Sequence, residues 1–413
     1  MSPGSGQREK QGLRTALFTG KGGVGKTTLA AATAIAASAS GRRTLVLSTD
    51  PAHSLSDVLG VSLSGAPTAA GGPHHPLLFA AEVDVRGQFE AAWSQIRGYL
   101  VGVLAARGVA EVTAEELVVL PGAEEILALL ELQRQAQGGE FDVIVVDCAP
   151  TGETLRLLAL PETLSFYAEK LFSAPQRLIR AIAAGMGGRT ADGPDGQVRD
   201  AITELLGRLS GARELLTDPS SGITIVTTAE QVVLAEARRA YTALSLHGYP
   251  VTSVVVNRLL PDEAEGSWAD RQRAAQQLQL LAVGESFAGL PIYQATVHAE
   301  EPVGAAALAE LALEVYGTSD PLPIRPHTLA KLQVTGAEGK YSLALSLPLA
   351  DRGQVQLSRA GDDLVVTVGN QRRRIALPSL LQRCTATGAR FDHDQLVVSF
   401  EPDPARWPAL VGT

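Results

Sequence analysis

Nine consecutive residues constrain this chain more than any others: Gly20-Lys21-Gly22-Gly23-Val24-Gly25-Lys26-Thr27-Thr28. They fit the pattern G-x-x-x-x-G-K-[ST]. The apolar run Ala-Leu-Phe-Thr precedes them, and the alanine-rich stretch Leu29–Ser38 follows. Strand, glycine-rich turn and helix in that order build a phosphate-binding loop on a parallel sheet. The glycines let backbone N–H groups close around β- and γ-phosphates, and the helix N-terminus adds its dipole. Lys26 is expected to contact phosphate oxygens, and Thr27 to place its hydroxyl on Mg²⁺. Gly20, Gly22, Gly23, Val24, Gly25 and Thr28 complete the cradle. The cofactors implied are ATP and Mg²⁺.

The surrounding sequence predicts the sheet. Short β-branched runs lie at Thr15–Thr19, Arg43–Thr49, Leu77–Val83, Phe141–Asp147, Ile223–Thr228, Thr252–Asn257 and Leu290–Tyr293. Several are continuously apolar, as Ile144–Val146 and Val254–Val256 show. Such strands are buried on both faces, which predicts a doubly wound, mostly parallel α/β sheet covered by helices. Residues 85–137 and 161–216 read as helical insertions able to form a subdomain. The Gly-rich segment Gly185–Gly196 inside the second reads as a mobile loop. After Pro321 the character changes. Alternating segments at Lys340–Leu347, Gln354–Leu357, Asp363–Val368, Arg372–Leu377 and Gln395–Phe400 predict a small antiparallel β-sandwich. Turns are expected at Gly361-Asp362 and Gly369-Asn370. The predicted division is a flexible 1–13, an ATPase domain at 14–320, a linker at 321–327, a sandwich at 328–403 and a tail at 404–413.

Two carboxylates stand at strand ends, where open α/β sheets place their ligands. Asp50 follows the second strand in Ser48-Thr49-Asp50-Pro51-Ala52-His53-Ser54-Leu55-Ser56-Asp57. It can orient or deprotonate an attacking water, or else cap a helix before Pro51. His53 receives no acid–base or metal role. Asp147 follows four apolar residues, the pattern of a carboxylate that holds Mg²⁺ through water. The turn Ala149-Pro150-Thr151-Gly152 beyond it is placed to move when the γ-phosphate leaves. Cys148 beside it reads as a small buried residue. Asn257 ends its strand and offers both donor and acceptor, which suits either a base edge or a turn. Pro291 to Thr296 is a candidate wall of the same pocket.

Charge narrows the partners. The net charge is −9, from 35 basic and 44 acidic residues. General binding to nucleic acid or to an anionic membrane face is disfavoured. The imbalance is uneven: residues 1–321 carry −12 and residues 322–413 carry +3, in keeping with two domains. The two cysteines, Cys148 and Cys384, imply no disulfide framework, so a reducing cytoplasm is the expected compartment. No run approaches the about 20 apolar residues that span a bilayer. A membrane role is expected only through the surface or a partner.

Four motifs together resemble the ArsA family of arsenite-pump ATPases and guided-entry ATPases for tail-anchored proteins. They are GKGGVGKTT at 20–28, DPAHSLSD at 50–57, DCAPTGETLRLLALP at 147–161 and VVVNRLLP at 254–261. They occur in family order and span roughly residues 14–317. The resemblance implies a homodimer with facing ATP sites. Its loop is of the deviant Walker A type, in which Lys21 would act in trans. Asp50 would activate water and Asn257 would bind adenine. The helical insertions would form an apolar surface for hydrophobic helical clients, and a membrane receptor becomes a possible partner. The departures are specific. The arsenite pump has two fused halves and arsenite-binding cysteines; this chain has one half and no matching set. The CxxC that binds zinc between eukaryotic subunits is missing, so no zinc is expected. The methionine-rich client groove is missing too; Leu171, Phe172, Leu178, Ile179, Ile182 and Met186 offer instead an apolar stripe, or plain core. The segment GDDLVVTVGNQRRRIALP at 361–378 resembles an α-crystallin-like sandwich. Within it Arg372–Arg374 reads by default as a solvated strand end, with a docking patch as the other reading. The expected function is an ATP-gated chaperone or targeting factor; the alternative is the energising subunit of an anion or arsenite pump.

Overall fold

The computed structural model of this protein describes residues 12–50, 54–83, 123–149, 151–152, 154–155, 158, 194–323, 332–337 and 339–407. Strand β1 (Arg14–Gly20) runs into the glycine-rich loop, and α1 (Lys26–Ala39) leaves it. Then come β2 (Thr44–Ser48), α2 (Ser54–Leu59), β3 (Thr68–Ala69), β4 (Leu78–Glu82), α3 (Ala123–Gly138), β5 (Val143–Asp147) and α4 (Pro194–Leu216). They are followed by β6 (Ser221–Thr228), α5 (Gln231–His247), β7 (Val251–Leu259), α6 (Ser267–Ser286), β8 (Ile292–Thr296) and α7 (Gly304–Tyr316).

Eight strands form one sheet in the order β3-β4-β2-β5-β1-β6-β7-β8. β2 runs parallel to β4 and β5, and β6, β7 and β8 run parallel to one another. Every residue of β2, β5 and β6 is buried. Burial on both faces is why β2 and β5 are apolar without alternation, whereas β6 buries Ser221, Thr224, Thr227 and Thr228 among its apolar residues. β3, antiparallel to β4, has two residues, too few to leave a periodic signal.

The chain divides into two compact units. One takes Met1–Thr15, Thr27–Asp218 and Val303–Glu310; the other takes Ala16–Lys26, Pro219–Pro302 and Leu311–Thr413. α3 and α4 fall within the expected helical insertions. Residues 84–122 and 159–193, including the stripe Leu171–Met186, lie outside the described residues, as do residues 324–327 of the expected linker. Pro194 to Gly196, read from the sequence as part of a loop, belong to α4. Proline suits the first turn of a helix, where its missing N–H has no intrahelical acceptor to lose. Among the described residues no helix is long and apolar enough to cross a membrane.

The C-terminal strands are β9 (Gln333–Ala337), β10 (Lys340–Ser346), β11 (Val355–Ala360), β12 (Asp363–Val368) and β13 (Gln371–Ala376), then β14 (Cys384–Asp392) and β15 (Gln395–Pro402). They form a four-stranded sheet, β14-β15-β10-β9, and a three-stranded sheet, β11-β12-β13. Leu343, Leu345, Leu364, Val366, Ile375, Leu396, Val398 and Phe400 share one core between them. The predicted turns at Gly361-Asp362 and Gly369-Asn370 close two-residue hairpins, since Ala360 faces Asp363 and Val368 faces Gln371. β14 is not legible in the sequence: it is an edge strand whose residues are mostly exposed, so no alternation marks it.

This sandwich is fastened to α5. Leu246 of that helix is fully buried in the sandwich core. Its carbonyl accepts a hydrogen bond from Arg373 Nη1 at 2.6 Å, and Thr242 Oγ1 donates to the Pro348 carbonyl at 2.7 Å. Leu246 lies in the last turn of the helix, where carbonyls lack an intrahelical donor and a cation is favoured. The default reading of Arg372–Arg374 as a solvated strand end is therefore corrected. Arg373 is buried, Arg374 pairs with Asp363, and only Arg372 is exposed.

Candidate functional site

The glycine-rich loop begins where β1 ends. A side chain on Gly20 would collide with the backbone carbonyl of Val226, and one on Gly25 with Nδ2 of Asn257. Gly25 also sits at φ 90, in the left-handed region that glycine enters freely. At Gly22 and Gly23 an added Cβ would meet nothing within 4 Å, so the crown of the loop is open. α1 carries no acidic residue of its own in its first turn, where one would offset the positive end of its dipole. Lys26 is buried, with Nζ 3.4 Å from the Lys21 carbonyl oxygen. Lys21, Thr27 and Thr28 are half-buried. A loop with open glycines, a buried lysine and a helix N-terminus with no acidic residue in its first turn suits a polyphosphate. Gly20→Ala is expected to lower stability by about 1–3 kcal/mol, because its obstacle is strand backbone and cannot swing aside. The same change should cripple ATP hydrolysis; thermal melting and phosphate release read the two effects.

Asn257 is held against this loop. Its Nδ2 donates to the Val24 carbonyl at 2.8 Å, and its Oδ1 accepts from the Arg258 N–H at 2.8 Å. The side chain expected to face a base edge is bonded here to the loop backbone. Pro291 stands at the entrance of β8, where its carbonyl accepts from Val254 N at 3.0 Å. Gly20 and Asn257 belong to the opposite, C-terminal ends of their strands. On β8 that end is Thr296, whose N–H and hydroxyl both bond Glu314, at 2.8 and 2.9 Å.

The carboxylates are placed by hydroxyl groups. Ser48, almost fully buried at the end of β2, donates Oγ–H to Asp147 Oδ2 at 3.2 Å. The same serine oxygen accepts the Asp50 N–H at 3.3 Å. One serine therefore sets both acids. Thr27 Oγ1 lies 3.2 Å from Ser54 Oγ, which joins the first turn of α1 to the first residue of α2. Glu82 at the end of β4 accepts the Ser56 N–H at 3.0 Å and fixes α2 from its other side. Thr154 closes the turn after Asp147 by donating to the Ala149 carbonyl at 2.7 Å. These hydroxyl and carboxylate oxygens are hard donors that suit Mg²⁺. Pro51, Ala52, His53 and Pro150 lie outside the described residues. Cys148 is buried, as its sequence context suggests. Ser48, Ser54 and Glu82 are candidate positions that sequence reasoning misses; the signal for Ser48 is a hydroxyl two residues before Asp50 at a strand end.

Known proteins share these features. Residues 13–317 match the anion-transporting ATPase family, and residues 338–400 match the HSP20-like domain found in ArsA. A protein of Chlorobaculum tepidum named putative arsenical pump-driving ATPase is 34% identical over 395 residues, covering 94% of this chain and 96% of that protein. One of Aquifex aeolicus named putative arsenical pump-driving ATPase 1 is 32% identical over 395 residues, covering 94% and 99%. ATPase GET3B of Arabidopsis thaliana is 35% identical over 266 residues, covering 59% of this chain and 64% of that protein. Similarity of this extent carries the conclusion that the chain belongs to the ArsA ATPase family and is an ATP-hydrolysing enzyme with an HSP20-like sandwich.

Proposed function

We propose that this ATPase is a homodimeric, Mg·ATP-driven switch that binds hydrophobic helical segments of client proteins. The observation that carries the switch is the bond between Thr27 and Ser54. It ties the hydroxyl assigned to the metal to the first residue of α2, so a change at Thr27 is felt by that helix. In this reading residues 14–320 are the catalytic domain and residues 328–403 a client-handling or assembly domain. Gly20 to Thr28 hold the phosphates, with Lys26 on their oxygens and Lys21 reaching the partner subunit's nucleotide. Thr27 and Asp147 hold Mg²⁺, which neutralises phosphate charge when bound. Asp50 orients the attacking water and takes its proton. Asn257 faces adenine as well as the loop, and the C-terminal end of β8 lies on the same side of its sheet.

The client is inferred from chemistry and from likeness. The relative named GET3B and the HSP20-like match favour protein handling. A pump for arsenite needs soft thiolate ligands. The cysteines here are Cys148 and Cys384, both buried. Burial pushes the Cys384 thiol up, with Arg359 pulling weakly the other way, so that thiol resists ionisation. The acidic net charge disfavours nucleic acid, and a membrane receptor is a fitting further partner.

Asp50→Asn tests the reading. Hydrolysis should fall by about 100-fold or more, the usual loss when a general base is removed. Nucleotide binding should persist, and the trapped enzyme should capture a peptide bearing one apolar helix in ATP and release it in ADP. Capture in no nucleotide state would end the client reading. Arsenite-stimulated turnover that disappears in Cys148→Ser would move the assignment to the pump.

A further inference from the structure

Asn257 meets the glycine-rich loop because its strand breaks register. Between Val256 and Leu259, β7 slips against β8. Within that slip Arg258 is held at φ 60, a left-handed backbone that is unfavourable for a residue with a long side chain. Its N–H fixes Asn257 Oδ1, which leaves Asn257 Nδ2 aimed at the Val24 carbonyl. The kink is held from α6. Gln276 donates Nε2–H to the Arg258 carbonyl at 3.2 Å and accepts the Leu260 N–H on Oε1 at 2.9 Å. A primary amide presents one donor and one acceptor side by side, the same pair a neighbouring strand would present. One turn earlier, Arg273 gathers the carbonyls of Pro261, Asp262 and Ala264 at 3.3, 3.3 and 3.0 Å. The segment after the kink is thereby fixed as well.

We infer that Gln276 is a positioning residue for ATP turnover: by holding the Arg258 kink it sets Asn257, and through Asn257 it sets Val24 in the loop. The inference rests on the reading that residues 20–28 hold the nucleotide phosphates. Gln276 itself does no chemistry. Without it Arg258 relaxes toward ordinary negative φ, Asn257 turns away from Val24, and the loop loses its fixed shape before nucleotide arrives.

The experiment compares ATP hydrolysis and melting temperature in wild type, Gln276→Ala, Asn257→Ala and the double variant. The exposed neighbour change Gln277→Ala serves as control, and Lys26→Ala checks the loop reading separately. Gln276→Ala should raise KM for ATP about tenfold, the equivalent of a net hydrogen-bond loss, with a smaller change in kcat. In the Asn257→Ala background it should add nothing, because both act through one contact. Arg258→Gly, at ease with φ 60, should restore KM in the Gln276→Ala background; a merely structural role would not give that rescue. Should Gln276→Ala fold poorly, Gln276→Glu keeps the acceptor for Leu260, replaces the donor with a carboxylate oxygen that the Arg258 carbonyl repels, and should raise KM likewise. A wild-type KM beside an inactive Lys26→Ala would overturn the inference and leave the loop reading intact. Additive effects in the double variant would overturn it too. An active Lys26→Ala would remove the loop reading, and the inference with it.

Discussion

Lys26→Ala is expected to reduce ATP hydrolysis by at least about 100-fold, the loss typical of deleting one charge-stabilising donor from a closed site. Its fold should be unchanged or slightly more stable. Lys26 is only 6% exposed, and its Nζ lies 3.4 Å from the Lys21 carbonyl oxygen. An ammonium held largely out of water on a neutral carbonyl is a poor contributor to stability. Its presence makes sense as a partner for phosphate oxygens, and such sites commonly trade stability for activity. Phosphate release at saturating ATP and a thermal melt would be measured together. Loss of turnover with an unchanged melt supports the assignment. Near-normal turnover would take Lys26 out of the machinery.

Leu246→Ala should have the largest effect on stability. The side chain is fully buried in the sandwich core although it belongs to α5. Emptying that volume is expected to destabilise by about 2–5 kcal/mol. Arg373→Leu leaves the Leu246 carbonyl without its 2.6 Å donor, a loss of about 1–3 kcal/mol. Both changes act on the same last turn of α5 where it meets the sandwich, so their effects should not add fully. Denaturant unfolding read by circular dichroism, with limited proteolysis to detect a released sandwich, would measure both. A sandwich that unfolds in its own transition, unmoved by either change, would refute the docking.

The elements legible in the sequence are those whose cause is local. A loop of the type at 20–28 is read from neighbouring residues, because its glycines, lysine and flanking periodicities act within one strand–turn–helix. β2, β5 and β7 are legible because a strand buried on both faces requires a continuous apolar run, and each of them has one. What stays hidden depends on partners far along the chain. Asn257 and Val24 are separated by most of the ATPase region, and no local pattern says that one grips the other. Gln276 looks like any polar residue on a helix until the kink it holds is seen. Arg373 sits in a run of three arginines that reads as solvated, and only the C-terminal turn of α5 turns its middle member into a cap. Pro291 belongs to a segment that reads as a wall of the site; the parallel register sets it at the far end of β8, away from Gly20 and Asn257.

The place of β1 in its sheet has a consequence for how the protein is made. β1 is synthesised before every other strand of that sheet, yet it lies between β5 and β6. The ribosome has to pass Asp147 before one flank can be covered and Thr228 before the other can. At typical elongation rates the second event comes on the order of 10–50 s after synthesis starts. Until Asp147 is made this apolar strand has no neighbour in the sheet, until Thr228 one flank stays open, and the Asn257 grip on its loop comes later still. The sandwich in turn takes part of its core from Leu246. Assembly therefore runs from the nucleotide sheet outward. A nascent chain that stalls before Asn257 carries the whole glycine-rich loop without the grip on the Val24 carbonyl.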